Sequence, residues 1–234
     1  MANLLILDAS SALCSVSLLT DQGNFHVCED QPRRHAQRLL PMVDEILQQS
    51  GLQKHQLNGI AYGRGPGSFT GIRIAASVMQ GIALALNIPV YGCSSLQAVA
   101  QEVAETEPLP ASQKIAVIMD AHMGEVFWGI FQCDENGMMQ PQGHEQVSTP
   151  EVCIEALTDF DGLLVGDGLA LTSMSALTAD NSCVQPKTEY MARLVQVAWE
   201  NNEFGSEEQH QPVYLRDSVA WKKLDEQPSL LKRS

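Results

Sequence analysis

Apolar residues in the first thirty positions come in short runs, over residues 4–7, 12–19 and 25–28, broken by the polar turn Thr20-Asp21-Gln22-Gly23-Asn24. Runs of this length between turn formers predict three strands in a meander. The spacing then changes to three and four. Leu39, Leu40, Val43, Ile46 and Leu47 form one stripe of a helix over residues 35–49, with Met42 at its edge. A strand over 59–62, a helix over Phe69–Leu86, a short strand over 90–92 and a helix from Ser95 complete a first series.

The acidic, proline-punctuated stretch over residues 102–110 marks a boundary near residue 108, giving domains over 1–108 and 109–234. The pattern then restarts, with strands over 115–119 and 125–133 and a third over 140–147. A helix over 150–157 follows, with Thr149 as its cap, then a strand over 162–165 and a helix over 189–200. Each series opens on a strand ending in an aspartate, Asp8 and Asp120. The order fits an α/β protein of two ribonuclease-H-like halves. The tail over 225–234 is expected to be mobile.

The densest punctuation is Gly63-Arg64-Gly65-Pro66-Gly67-Ser68-Phe69-Thr70-Gly71-Ile72-Arg73. Glycines here allow backbone torsions and close approaches closed to other residues, and Ser68 or Thr70 is placed to cap the following helix. No lysine follows the last glycine, so this is not a Walker A loop, and the spacing is not that of a dinucleotide fingerprint. A plain strand-to-helix corner and an anion cradle both fit the run.

The phrase Gly-Pro-Gly-Ser-Phe-Thr-Gly-Ile-Arg closely resembles the signature of the bacterial YeaZ/TsaB family. Further segments fit in order: Leu7-Asp8-Ala9-Ser10, residues 119–126, Pro212-Val213-Tyr214-Leu215-Arg216 and Val219-Ala220-Trp221-Lys222-Lys223. Ala75, His122 and Asp217 depart from the usual Gly, Arg and Asn. The resemblance implies the actin/sugar-kinase/Hsp70-like (ASKHA) fold. It also implies a non-catalytic scaffold that joins TsaD and TsaE in placing threonylcarbamoyl on N6 of the adenosine next to the tRNA anticodon.

Composition agrees with a subordinate role toward nucleic acid. A formal charge of −14 lacks the footprint of a chain that grips RNA alone, so tRNA is expected to be met through the complex. The six cysteines are scattered without C-x-x-C spacing, and the N-terminal apolar run is too short for a signal peptide or a membrane span. A cytoplasmic protein without membrane contact is expected.

In nucleotide-binding proteins of the implied fold, the strand-end aspartates and nearby small residues face the phosphates. Here that set is Asp8, Ser10, Gly65, Gly67, Ser68, Asp120, Gly166 and Gly168, a vestigial cleft compatible with weak adenine nucleotide binding and no tightly held cofactor. A strand-end aspartate also caps turns, and that reading stands beside the first. TsaD carries a His-x-x-x-His pair on the helix after its short strand, and Ser95 and Val99 hold those positions here, so no metal is expected. No nucleophile with an evident base appears, and no catalytic residue is assigned.

The helix over Phe69–Leu86 is apolar around more than half its circumference, with Ile74, Val78 and Ala85 widening the sector of Met79, Ile82 and Leu86. Such a helix buries itself against two bodies, either a neighbouring helix of its own domain or a partner. The resemblance implies that this helix and the stripe of Leu39, Leu40, Val43, Ile46 and Leu47 form the interface to TsaD, and to a second copy in a homodimer. The rival readings are a small ATP-dependent phosphotransferase using Asp8 and Asp120, and a self-associating domain without a fixed partner.

Overall fold

Strands β1 (Leu4–Asp8), β2 (Leu13–Thr20) and β3 (Gly23–Asp30) pair as the antiparallel meander that their short apolar runs predict. The computed structural model describes residues 2–30, 34–107, 109–181 and 184–216. The tail over 225–234, Asp217 and the Val219–Lys223 phrase lie outside the described residues. α1 (His35–Ser50) crosses to β4 (Gly59–Gly65), α2 (Phe69–Leu86) to β5 (Val90–Ser94), and α3 (Ser95–Thr106) follows. The sheet order is β3-β2-β1-β4-β5, with β1, β4 and β5 parallel. β1 is buried along its whole length because it is central, whereas the exposed edge strand β3 alternates.

The second sheet repeats the plan in shorter form. β6 (Lys114–His122) and β7 (Glu125–Cys133) pair antiparallel, and β10 (Leu163–Val165) lies parallel to β6 as β4 does to β1. The single strand expected over 140–147 is instead two pieces, β8 (Met139–Pro141) and β9 (Gln146–Ser148), both on β7. Gly143 turns the chain out between them at φ 95°. α4 (Pro150–Ala156) starts after Thr149, whose side chain makes no capping bond and engages the Glu151 carboxylate.

The line drawn at residue 108 separates the sheets but not the helices. α3, on the first side of it, buries Leu96, Val99 and Val103 among Ile115, Val117 and Phe131 of the second sheet. α5 (Thr188–Glu200), on the other side, buries Met191, Leu194 and Val195 against Leu4, Ile6 and Leu19 of the first. The chain after α5 also returns to the first sheet. Tyr62 donates to the His210 carbonyl at 2.8 Å, and the Val213 amide to the Arg64 carbonyl at 2.8 Å.

α1 and α2 cover the other face of the first sheet. Arg38 locks α1 to the edge strand with paired bonds to Glu29, and it also grips Glu45. α2 has 18 residues at a mean hydropathy of 1.5, long and apolar enough to cross a membrane by length and composition. Its Ile72, Ala75, Ala76 and Met79 are buried in the fold, so one side of it packs inward while the other stays outside.

Candidate functional site

The glycine-rich corner joins β4 to α2. Ser68 caps the helix, its Oγ accepting from the Gly71 amide at 3.2 Å. A β-carbon at Gly67 would lie 2.3 Å from the Ser10 carbonyl oxygen, and one at Gly71 would lie 1.8 Å from that of Ala9. The Ser68 amide donates to the Ser10 carbonyl at 2.7 Å. The glycines thus admit the chain's own loop after β1, and this amide is already occupied. The corner therefore packs on the chain's own loop, with Gly65 closed in by Ile72 and the Val213 carbonyl, while Gly67 and Ser68 also border a cavity between the halves.

The two strand-end aspartates have diverged. Asp8 is wholly buried; its Oδ2 accepts from the Ser10 amide and hydroxyl, both at 3.1 Å, and the Ser95 hydroxyl donates to Ser10 Oγ at 3.0 Å. Its Oδ1 has no partner and faces Gly63. Burial pushes the carboxyl up to about 7, against the weaker opposing pull of the Ser10 bonds. Asp120 accepts from the His122 amide at 2.7 Å and is paired with the His122 ring at 3.0 Å, closing the β6–β7 turn. Gly166 and Gly168 sit tightly on the backbone of β6, and the Asp120 amide donates to Asp167.

The expected pair of carboxylates facing one cleft is therefore not assembled. Asp120 lines a cavity between the halves, while Asp8 lies beneath its own strand end and lines none of the described cavities. A hydrated Mg²⁺ needs several open oxygen ligands, and these two groups do not fit one. Ser95 and Val99 are fully buried, Ser95 inside the Asp8–Ser10 chain and Val99 in the apolar core. Thiol chemistry has no foothold at Cys14, Cys93 or Cys153, where burial pushes the thiols up to about 12.

The helix faces divide in a way the pattern did not foresee. Leu39 and Ile46 of α1 and Met79 of α2 are core residues and no free interface, while Val43 and Leu47, also buried, still border an outer hollow. Outward-facing apolar surface remains at Leu40 and along α2, where Ile74, Val78, Ile82 and Leu86 form a half-buried row and Ala85 is exposed. Leu84, on the side of α2 that also carries Arg73, Ser77 and Gln80, is 85% exposed. A small apolar hollow between Leu40, Leu47, Ile82 and Leu86 continues the half-buried row toward α1.

A cavity of about 280 Å³ lies between the halves, and three of the residues expected to line a cleft, Gly67, Ser68 and Asp120, line it. Phe69 and Thr70 of α2, the rest of the turn over Ala121–Met123, Phe127 and the strap over Val213–Arg216 complete it. Arg216 fixes the strap, pairing with Glu125 and donating to the carbonyls of Ala121 and His122 at 3.2 and 3.3 Å. The strap's only signal in the sequence was the phrase Pro212-Val213-Tyr214-Leu215-Arg216, which carried resemblance without chemistry.

Residues 26–148 match the family described as TsaD, tRNA N6-adenosine threonylcarbamoyltransferase. The chain is 37% identical to the tRNA threonylcarbamoyladenosine biosynthesis protein TsaB of Escherichia coli strain K12, covering 94% of this chain and 97% of that protein. It is also 37% identical to the protein of that name from Haemophilus influenzae, over 94% of this chain and 96% of the relative. The solved structure titled YeaZ from Pseudomonas aeruginosa superposes at a TM-score of 0.83, with 37% identity over 92% of this chain and 100% of that one. A second structure from the same organism, titled as an uncharacterized protein with similarity to peptidase YEAZ, gives 0.84 at 38% identity and the same coverage.

Proposed function

The chain belongs to the TsaB (YeaZ) family of tRNA threonylcarbamoyladenosine biosynthesis proteins, and from that premise we propose that it is the pathway's non-catalytic scaffold, a partner of TsaD. In this reading TsaD performs threonylcarbamoyl transfer to N6 of the adenosine next to the anticodon. TsaE acts on the assembled complex, and tRNA is met there, with no cofactor tightly held by this chain.

The observation that carries the proposal is the outer row of α2. Ile74, Val78, Ile82 and Leu86 stay half-buried, with Ala85 and Leu40 exposed beside them, after the fold has packed everything it can. Apolar surface of this kind, continuous over one helix, marks an association face. The same face supports a homodimer when TsaD is absent, because it can meet its own copy about a two-fold axis. The locked Asp8 and the turn-bound Asp120 weigh against the phosphotransferase reading, which needs both groups at one metal.

Mixing the purified chain with TsaD on a sizing column is expected to give a stable complex. Threonylcarbamoyl transfer to tRNA should then require both proteins. Separate elution of the two, or ATP turnover by this chain alone that Asp8→Ala abolishes, would refute the scaffold assignment.

A further inference from the structure

Six large apolar or aromatic side chains stand exposed among the described residues, and three of them, Phe69, Met123 and Tyr214, surround the cavity between the halves. Single exposed residues need no cause, but clustering around a concavity does. The Phe69 and Tyr214 ring centroids are 5.3 Å apart at 54°. The Arg73 guanidinium carbon lies 3.7 Å from the Phe69 ring centre, and its Nε donates to the Tyr214 hydroxyl at 3.3 Å. Arg73 forms no ion pair among the described residues. The rings therefore hold a cation without a carboxylate partner on a chain of formal charge −14.

The assembly is built in advance of any ligand. Phe69 and Arg73 are set one turn apart by α2, and Tyr214 arrives on the strap that Val213 ties to Arg64 and Arg216 ties to the β6–β7 turn. An apolar protein side chain seated here would leave the arginine without a counter-charge, and a bare anion would leave the rings without a face to stack on. A nucleotide unit uses both, with a flat base for the rings and a phosphate for the guanidinium.

We propose that this cavity seats one unpaired nucleotide of a single-stranded RNA loop, with its base against Tyr214 and Phe69 and its phosphate toward Arg73. The inference rests on the reading that the chain works on tRNA in a complex with TsaD. It adds a direct contact from this chain to a molecule that the partner otherwise holds.

The test uses the full chain assembled with TsaD, titrated with a tRNA anticodon stem-loop carrying 2-aminopurine at one unpaired position at a time. At one position, binding should quench the fluorophore. Tyr214→Ala and Phe69→Ala should each abolish that quench and weaken RNA binding about five-fold or more, the lower range for losing one base–aromatic stack. Tyr214→Phe and Tyr214→Trp, which keep the ring, should retain both. Arg73→Gln should flatten the dependence of log affinity on log salt by about 0.7.

Unchanged quench and affinity in both alanine variants overturn the proposal. So does loss of TsaD by Tyr214→Ala with RNA affinity unchanged in the complex that remains, which would assign the cavity to a protein side chain. Adenosine monophosphate binding at the cavity more tightly than the stem-loop would assign it to a free nucleotide and overturn the RNA contact. If the wild-type chain does not assemble with TsaD, the scaffold reading fails by itself, and the same titration of the chain alone then decides the RNA contact.

Discussion

The two faces of the first sheet are built on opposite principles. Under α1 and α2 the packing is apolar, with Leu39, Ile46, Ala75 and Met79 closing on Leu5, Leu7 and Tyr62. Under α3 and α5 the apolar cluster of Leu4, Ile6 and Met191 is threaded by buried polar groups. Asp8, Ser10 and Ser95 form one chain, and Thr188 joins Ser15 and Ser17 in another, its amide donating to Ser15 Oγ at 3.1 Å and its hydroxyl accepting from Ser17 at 2.8 Å. On the outer side of the dry face Leu40, Leu84 and Ala85 stay exposed, whereas the apolar residues on the outer side of α5, Ala192, Val197 and Trp199, are half-buried. The difference teaches that one sheet can close on apolar packing alone on one side and, on the other, on apolar packing interrupted by buried hydrogen-bonded groups.

The largest expected effect lies on the outer side of α2. Val78→Glu puts a carboxylate into a contact that excludes water, at a cost of several kcal/mol, which is a hundred-fold or more in affinity. Sizing with and without TsaD should show a folded monomer that no longer joins the complex. Ile46→Ala, on the inner side of the same layer, should instead lower the urea midpoint and leave the elution of the folded fraction unchanged. If Val78→Glu behaves like Ile46→Ala, the contrast between inner and outer sides collapses.

The next effect tests the polar face through pH. The folded Asp8 carboxyl, near 7, lies above its ordinary 3.8, so between these values the native protein holds a proton that the unfolded chain has released. Stability from this group is complete below about pH 4 and is lost as pH rises through 7, by at most about 4 kcal/mol. Urea titrations at intervals from pH 4.5 to 8 should show that fall, and Asp8→Asn should remove it. A wild-type curve that rises over the same window and matches the variant would mean that Asp8 is not held in the dry pocket.

Thr188→Val keeps the shape of the side chain but takes the acceptor away from Ser17. A loss of about 1–3 kcal/mol is expected in equilibrium unfolding, because a buried hydroxyl is left without its partner. No loss would show the polar thread to be ornamental. The smallest effect is Gly81→Ala on the outer side of α2. A β-carbon there meets nothing within 4 Å, and the residue lies inside the helix. The change should raise the melting temperature slightly, for a gain of about 0.5–1 kcal/mol.

Much of this molecule follows from local rules. The meander and the span of α2 are written in periodicity, and of the two caps the sequence offered, Ser68 and Thr70, Ser68 is the one used. Legibility failed where one pattern serves two ends. The apolar stripe of α1 is the same whether a sheet or a partner covers it, and only the packing shows that the sheet takes Leu39 and Ile46, while Val43 and Leu47 also border an outer hollow. Gly67 and Gly71 read equally well as an anion cradle until the loop after β1 is seen filling the space.

The sequence by itself determined the element order, the duplicated strand openings at Asp8 and Asp120, and the family, because these depend on residue type and on spacing within a few turns of chain. Tertiary structure alone decided which sheet α3 and α5 serve, that Asp8 is buried while Asp120 closes a turn, and that Tyr214 stands beside Phe69. Those facts depend on how separate elements pack together, as Phe69 of α2 and Tyr214 of the strap do. Burial, desolvation and the joining of distant surfaces exist only once the chain has closed on itself.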